Sequence, residues 1–161
     1  MKLLLALLLA VAPPAHAEVP GWFAETFLDV REDVAEAAKD GKRLMLYFWL
    51  EGCPYCRQLE ETTFRDPEVV RRMKSGFVAV ALNVRGDREV TWTDGRKMSE
   101  KALTRFLEVR GTPTLIVFDE RGRVVERIGG YVAPPGFMAL LDKATVKVPG
   151  SASSPDRPAP R

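Results

Sequence analysis

A continuous apolar run, which ends just before a closely spaced pair of cysteines, limits the folds that this chain can adopt. Residues 44–50 read LMLYFWL, and the segment GCPYC follows at residues 52–56. An apolar run bounded by turns is typical of a strand that is buried on both faces. Pro54 favours the first turn of a helix. The chain therefore places its only two cysteines, Cys53 and Cys56, where a buried strand turns into a helix.

The rest of the chain alternates helical and strand patterns within 161 residues, which is enough for one domain. Apolar spacing predicts helices that begin at Asp29, Pro54, Pro67, Ser99 and near Phe137, and further strands over residues 77–84, 114–118 and 124–128. A helical connection implies a parallel pair of strands, whereas the short link between the last two implies an antiparallel pair. We therefore predict an α/β fold, a four-stranded mixed sheet flanked by helices, with an inserted polar hairpin over residues 89–97.

Both ends of the chain differ from this domain. Residues 1–17 combine a positive charge, an apolar stretch and the small-residue sequence AHA, which is the pattern of a secretory signal peptide cleaved after Ala17. The apolar stretch is too short to span a bilayer and ends at two prolines, which disfavours an anchor helix. We expect a periplasmic protein with its domain over residues 18–146 and a disordered, proline-rich tail over residues 147–161.

The residue inventory excludes several kinds of site. The single histidine, His16, leaves with the signal peptide. The mature chain therefore lacks the imidazole of a Cys-His dyad, a Ser-His-Asp triad or a histidine-bound zinc ion. Two cysteines are too few for a four-cysteine zinc site. No Gly-rich phosphate loop is present and the formal net charge is +2, so we expect no metal, no cofactor and no nucleic-acid partner.

The cysteine pair has the position that redox chemistry requires. A helix start offers free N–H groups and a partial positive charge, which favour the thiolate at Cys53 and make it the nucleophile. Cys56 follows one turn later and can close a disulfide with Cys53 after a substrate has been attacked. One alternative is an inert disulfide, whose small loop would contribute little stability. Another is a copper site, for which two thiolates are a poor ligand set.

The sequence resembles the thioredoxin superfamily over residues 28–145. The matching segments are FWLEGCPYC at residues 48–56, LNV at 82–84, VRGTPT at 109–114 and GG at 129–130. The resemblance implies a thioredoxin fold in which Pro113 follows a cis peptide bond and lies against the cysteine pair. It also implies that the backbone of Thr112 pairs with the substrate chain.

The same resemblance implies which residues contact a substrate protein. They belong to the matching segments and are Trp49, Pro54, Tyr55, Thr112, Pro113, Gly129 and Gly130. We expect Tyr55, between the cysteines, to be the best exposed aromatic side chain, and Trp49 to flank the site. Trp22 and Trp92 are expected to pack in the interior.

The chain departs from thioredoxins at the position that moves protons. Thioredoxins carry a buried aspartate in the strand, six residues before the first cysteine, and this position is Tyr47 here. The lysine that accompanies that aspartate corresponds to Ala81. Proton transfer at Cys56 would then run through water or through Glu51. The dipeptide between the cysteines is Pro-Tyr, as in glutaredoxins, so a thioredoxin-like redox potential is not implied.

These features predict a monomeric periplasmic thiol–disulfide oxidoreductase that reduces a disulfide in a partner protein. The hairpin and the segment GDREV at residues 86–90 resemble the exported thioredoxins of bacterial sulfur-oxidation (Sox) systems, which implies a Sox carrier protein as partner. A reductase in an oxidising compartment would need a membrane thiol electron donor. The alternatives are a Dsb-type disulfide oxidase or isomerase and, in another class, a non-catalytic thioredoxin-fold binding module or a metallochaperone.

Overall fold

The computed structural model describes residues 19–145, so the predicted signal peptide and C-terminal tail lie outside the described residues. In chain order the elements are α1 (Val30–Lys39), β1 (Arg43–Trp49), α2 (Pro54–Glu61), a 3₁₀ turn (Thr63–Arg65), α3 (Pro67–Gly76), β2 (Phe77–Asn83), β3 (Glu89–Thr91), β4 (Lys97–Ser99), α4 (Glu100–Phe106), β5 (Thr114–Phe118), β6 (Val124–Gly129) and α5 (Pro134–Thr145). Within residues 19–145, none of the helices combines the length and the apolar character of a membrane span.

The main strands form the predicted four-stranded mixed sheet in the order β2-β1-β5-β6. β1 runs parallel to β2, with Arg43 opposite Phe77 and Trp49 opposite Asn83. β5 is antiparallel to β1, and β6 is antiparallel to β5. The predicted fold class is therefore confirmed. β1, the strand that leads to the cysteines, lies inside the sheet with both of its edges paired.

Alternate side chains of β1 enter two hydrophobic clusters, one on each face of the sheet. Met45 and Tyr47 belong to the cluster that the sheet forms with α2, α3 and α5. Leu46 and Phe48 belong to the cluster that it forms with α1 and α4. Successive side chains of a strand point to opposite faces, so a strand between two helical layers needs apolar residues at every position. The uninterrupted run in the sequence has this physical cause.

The predicted hairpin is present as β3 and β4, which pair antiparallel in a separate two-stranded sheet. It is not polar throughout, because Val90 is fully buried and Trp92 is only 7% exposed. The Trp92 ring packs edge-on against Phe118, with 5.9 Å between the ring centroids. These apolar side chains fix the hairpin to the face of the sheet that α1 and α4 cover.

A buried carboxylate holds the loop that follows β2. Glu100, the first residue of α4, is only 1% exposed. Its carboxylate accepts hydrogen bonds from the Asn83 amide at 2.9 Å and from the Arg88 guanidinium at 2.7 Å. Gly86 lies directly against the same carboxylate. These donors compensate for the loss of hydration that burial imposes on Glu100, and they fix the loop at the end of β2.

Candidate active site

The turn between β1 and α2 places both cysteines at one end of the sheet. The Cys53 amide donates to the Leu50 carbonyl at 3.2 Å and closes the turn. Gly52 has a φ of 75°, a left-handed conformation that glycine adopts without steric cost. Cys53 is the N-cap of α2, and its sulfur accepts a hydrogen bond from the Cys56 amide at 3.2 Å. Cys53 thus lies at the helix start and Cys56 one turn later, as the sequence predicts.

Cys53 is the more accessible and the more acidic of the two thiols. It is partly exposed, whereas Cys56 is only 2% exposed. Burial opposes ionisation of Cys53, but hydrogen bonds from Cys56, from the Thr112 hydroxyl and from the Tyr55 amide outweigh it. They lower the pKa of Cys53 below its ordinary value. The thiolate, which is the reactive form of cysteine, is therefore stabilised at Cys53.

Cys56 has the opposite properties. Its burial, together with its hydrogen bond to the neighbouring Cys53 thiol, raises the pKa of Cys56 to about 11. At neutral pH this thiol therefore keeps its proton, and a protonated thiol does not attack a disulfide. Any reaction in which Cys56 becomes the nucleophile needs a group that accepts its proton.

The segment around Thr112 closes the site on the other side of Cys53. The peptide bond between Thr112 and Pro113 is cis, as expected. The Thr112 carbonyl lies 3.5 Å from the Cys53 sulfur, and the Thr112 hydroxyl donates to that sulfur at 3.3 Å. The Gly130 amide donates to the Pro113 carbonyl at 2.8 Å, and Gly129 precedes it at the end of β6. The Gly-Thr-Pro-Thr segment therefore contacts Cys53, and the Gly-Gly segment contacts Pro113 in turn.

The aromatic residues near the site differ in exposure. Tyr55 is 61% exposed beside Cys53, and Pro54 is exposed as well. Trp49 is half-buried at the end of β1 and packs against the core cluster that includes Tyr47. Trp22 packs against the same cluster, as expected. Tyr55 is thus the aromatic side chain of the site with the most surface free to contact a second molecule.

Tyr47 and Glu60 form a buried pair that the sequence analysis did not single out. The Tyr47 hydroxyl donates to Glu60 Oε1 at 2.8 Å, and the two residues are 0% and 4% exposed. Glu60 follows Cys56 by four residues on α2, so this spacing alone could have placed the two side chains on one face of the helix. Glu51, the proton-transfer residue expected from the sequence, is exposed in the turn before Cys53, and its role stays a prediction.

The environment of this pair keeps the phenol neutral and makes the carboxyl a stronger base. Burial raises the pKa of Glu60, and the hydrogen bond from Tyr47 offsets part of that rise. Burial raises the pKa of the Tyr47 phenol far above its ordinary value, and the neighbouring Glu60 and Cys56 raise it further. Tyr47 is therefore a neutral hydroxyl close to both the Glu60 carboxyl and the Cys56 thiol.

Comparison with known proteins places these features in one family. The family described as "thioredoxin-like domain" matches residues 30–145. Over 120 residues the chain is 32% identical to the thiol:disulfide interchange protein DsbD of Tatumella citrea. The aligned region makes up 73% of this chain and 19% of that protein. The chain thus spans about a fifth of the length of the curated relatives that it matches. The resemblance to the sulfur-oxidation thioredoxins rests on the sequence segments alone.

Two solved structures have the same fold. A thioredoxin from Thermus thermophilus superposes with a TM-score of 0.57 at 30% identity, over 71% of this chain and 82% of that one. A thioredoxin-fold protein from Helicobacter pylori superposes with a TM-score of 0.63 at 23% identity, over 75% of this chain and 74% of that one. The predicted thioredoxin fold is therefore confirmed.

Proposed function

The chain belongs to the thioredoxin-like domain family, and we propose that it is a thiol–disulfide oxidoreductase that acts through Cys53 and Cys56. The observation that carries this proposal is the contrast between the two thiols. One is partly exposed with a lowered pKa, and the other is buried with a pKa raised to about 11. Thiol–disulfide exchange in two steps needs such a pair, because one thiol must attack first and the other must wait.

The reaction begins at Cys53. Its thiolate attacks one sulfur of a substrate disulfide, so that the substrate S–S bond breaks, a mixed disulfide forms and the first substrate sulfur leaves as a thiolate. Cys56 then loses its proton and attacks the Cys53 sulfur. The bond between Cys53 and the substrate breaks, and the second substrate sulfur leaves with the electron pair. The substrate is reduced by two electrons, and Cys53 and Cys56 end as a disulfide.

The residues around the thiols are proposed to hold the substrate chain. Thr112 contacts the Cys53 sulfur through both its carbonyl and its hydroxyl, so a peptide paired with the Thr112 backbone would present its disulfide to Cys53. Tyr55 offers an exposed ring next to that position. Pro113 and Gly130 are joined by a hydrogen bond at 2.8 Å, and neither carries a large side chain that would block the approach.

We propose further that the protein works as a reductase in the periplasm and receives electrons from a membrane thiol donor. The signal-peptide pattern of residues 1–17 supports export. The segment GDREV at residues 86–90 supports a Sox carrier protein as the substrate. The relatives named thiol:disulfide interchange proteins support exchange with a second dithiol protein. The alternative within the same class is a Dsb-type disulfide oxidase or isomerase.

Insulin reduction tests the activity. The purified dithiol protein should accelerate the precipitation of insulin chains by dithiothreitol, whereas Cys53→Ser and Cys56→Ser should not. Equal precipitation with and without the wild-type protein would contradict the proposal and favour a non-catalytic binding module.

The redox state in cells tests the direction of electron flow. Alkylation after an acid quench should find Cys53 and Cys56 largely reduced, and oxidised once the donor has been removed. A pair that is oxidised whether or not the donor is present would favour the oxidase.

A further inference from the structure

We propose that Tyr47 and Glu60 form a proton relay that removes the thiol proton of Cys56 when the mixed disulfide is resolved. The inference rests on the proposed function, because only a resolving step requires Cys56 to lose its proton. In this relay Tyr47 is the group at the thiol, and Glu60 is a positioning residue and final acceptor that acts through Tyr47.

The arrangement of side chains supports the relay. Cys56, Tyr47 and Glu60 are 2%, 0% and 4% exposed, so bulk water has little access to the thiol proton. The Tyr47 hydroxyl donates to Glu60 Oε1 at 2.8 Å, which leaves the phenol oxygen able to accept a proton from a neighbour. Cys56 is close enough to perturb the ionisation of Tyr47. The three groups therefore connect the resolving thiol to a buried carboxylate.

The packing of the Tyr47 ring directs its hydroxyl toward α2. The ring lies edge-on to Phe64 with 5.4 Å between centroids, and tilted against Phe23 at 5.6 Å. Apolar rings on these sides offer the hydroxyl no competing hydrogen-bond partner. The hydroxyl is thus directed toward α2, where Glu60 and Cys56 lie on the same face of the helix.

The proton steps balance without any further group. The Cys56 proton moves to the Tyr47 oxygen as the Tyr47 proton moves to Glu60 Oε1, so the tyrosine ends again as a phenol. The Cys56 thiolate attacks the Cys53 sulfur, the S–S bond between the cysteines forms, and the bond from Cys53 to the substrate breaks. The leaving substrate thiolate takes a proton from water, and Glu60 later returns its proton to water.

The charges that face the pair suit this role. Glu61 opposes the ionisation of Glu60 and Arg57 favours it, and both lie on α2. Tyr47 faces the Cys56 thiol and the Glu60 carboxyl. Proton transfer is more efficient when the pKa values of the donor and the acceptor are closer. Burial raises the pKa of the Glu60 carboxyl and so brings it nearer to the pKa of the Cys56 thiol.

The test measures the resolving step alone. The protein is prepared with a thionitrobenzoate group in a mixed disulfide on Cys53, and release of the yellow thiolate is followed from pH 5 to pH 10. Glu60→Gln, which keeps the shape but cannot take the proton, should slow release near pH 7 by at least roughly tenfold. Tyr47→Phe, which keeps the ring and loses the hydroxyl, should do the same. The release rate of both variants should rise about tenfold per pH unit over this range, whereas the wild-type rate should level off once Glu60 is ionised.

A matched control separates a relay through Tyr47 and Glu60 from a general effect of removing a carboxylate. Glu68→Gln on the exposed side of α3 should resolve the mixed disulfide at the wild-type rate, whereas Glu51→Gln tests the competing acceptor that the sequence suggests. Iodoacetamide labelling of the dithiol form should show that Cys53 reacts normally in Glu60→Gln, so that the first step is intact. Should thermal unfolding show that one relay variant does not fold, the other variant decides the outcome.

The outcomes for the relay and for the proposed function differ. A wild-type protein that does not release thionitrobenzoate would overturn the function and the relay together. A wild-type protein that releases it normally, with Glu60→Gln and Tyr47→Phe within about twofold at every pH, would overturn the relay alone. Slow release in Glu51→Gln but not in Glu60→Gln would move the acceptor to Glu51.

Discussion

Limited alkylation should label Cys53 at least about 10-fold faster than Cys56 at pH 7. With its pKa at about 11, only about one Cys56 in 10,000 is ionised at this pH. A thiol with the ordinary value of 9.0 is ionised to about 1%, and the pKa of Cys53 is lowered from that value. The ratio of thiolate populations therefore exceeds about 100. The more basic thiolate reacts roughly 10-fold faster for each ion. A preference of about 10-fold for Cys53 remains before burial slows Cys56 further.

The assay is a brief reaction of the dithiol protein with iodoacetamide, followed by peptide mass mapping of the singly labelled species. Thr112→Val removes the hydroxyl that donates to the Cys53 sulfur at 3.3 Å, so it should raise the pKa of Cys53 and slow its labelling several-fold at pH 7. In denaturant the two cysteines should react at similar rates. Equal labelling of Cys53 and Cys56 in the folded protein would refute the assignment of roles.

Two further predictions concern stability and are checked by urea unfolding. Burial raises the pKa of Asp33 from 3.8 to about 6, so the folded state binds more protons than the unfolded state between these pH values, and the free energy of unfolding falls as pH rises through this window. Asp33→Asn should abolish that fall and stabilise the protein at pH 7 by at most about 3 kcal/mol, and no gain there would contradict the argument. Gly86→Ala would press a methyl group against the buried Glu100 carboxylate and should cost about 1–3 kcal/mol, whereas the control Gly21→Ala, which has open space around it, should change stability little; equal losses would be the contrary result.

The sequence was sufficient to predict the sheet because the constraints on it are local. Within β1, residues 44–49 include no charged side chain, which is the pattern of a strand buried between two helical layers. The link between β5 and β6 is too short for anything but an antiparallel pair. Asp29 and Ser99 were expected to start helices and do cap α1 and α4, since short polar side chains there accept hydrogen bonds from free amides.

The contacts that tune the site could not be predicted in the same way. The hydrogen bond between Tyr47 and Glu60 joins a strand to a helix, and it depends on side-chain rotamers that neither segment specifies alone. Burial of Val90 and Trp92 depends on how the hairpin docks on the sheet, which a turn motif does not encode. The approach of Thr112 to the Cys53 sulfur entered the sequence analysis only through the family resemblance, because 59 residues separate them.

Intact-mass analysis of the protein after reaction with a disulfide-bonded peptide tests whether Cys53 and Cys56 carry out the two steps of disulfide exchange. The wild-type dithiol protein should yield the reduced peptide and lose two hydrogens as the disulfide between Cys53 and Cys56 forms. Cys56→Ser should accumulate a mixed disulfide with the peptide on Cys53, and Cys53→Ser should give neither product. A wild-type protein that leaves the peptide oxidised, or a peptide adduct trapped by Cys53→Ser instead of Cys56→Ser, would contradict the account.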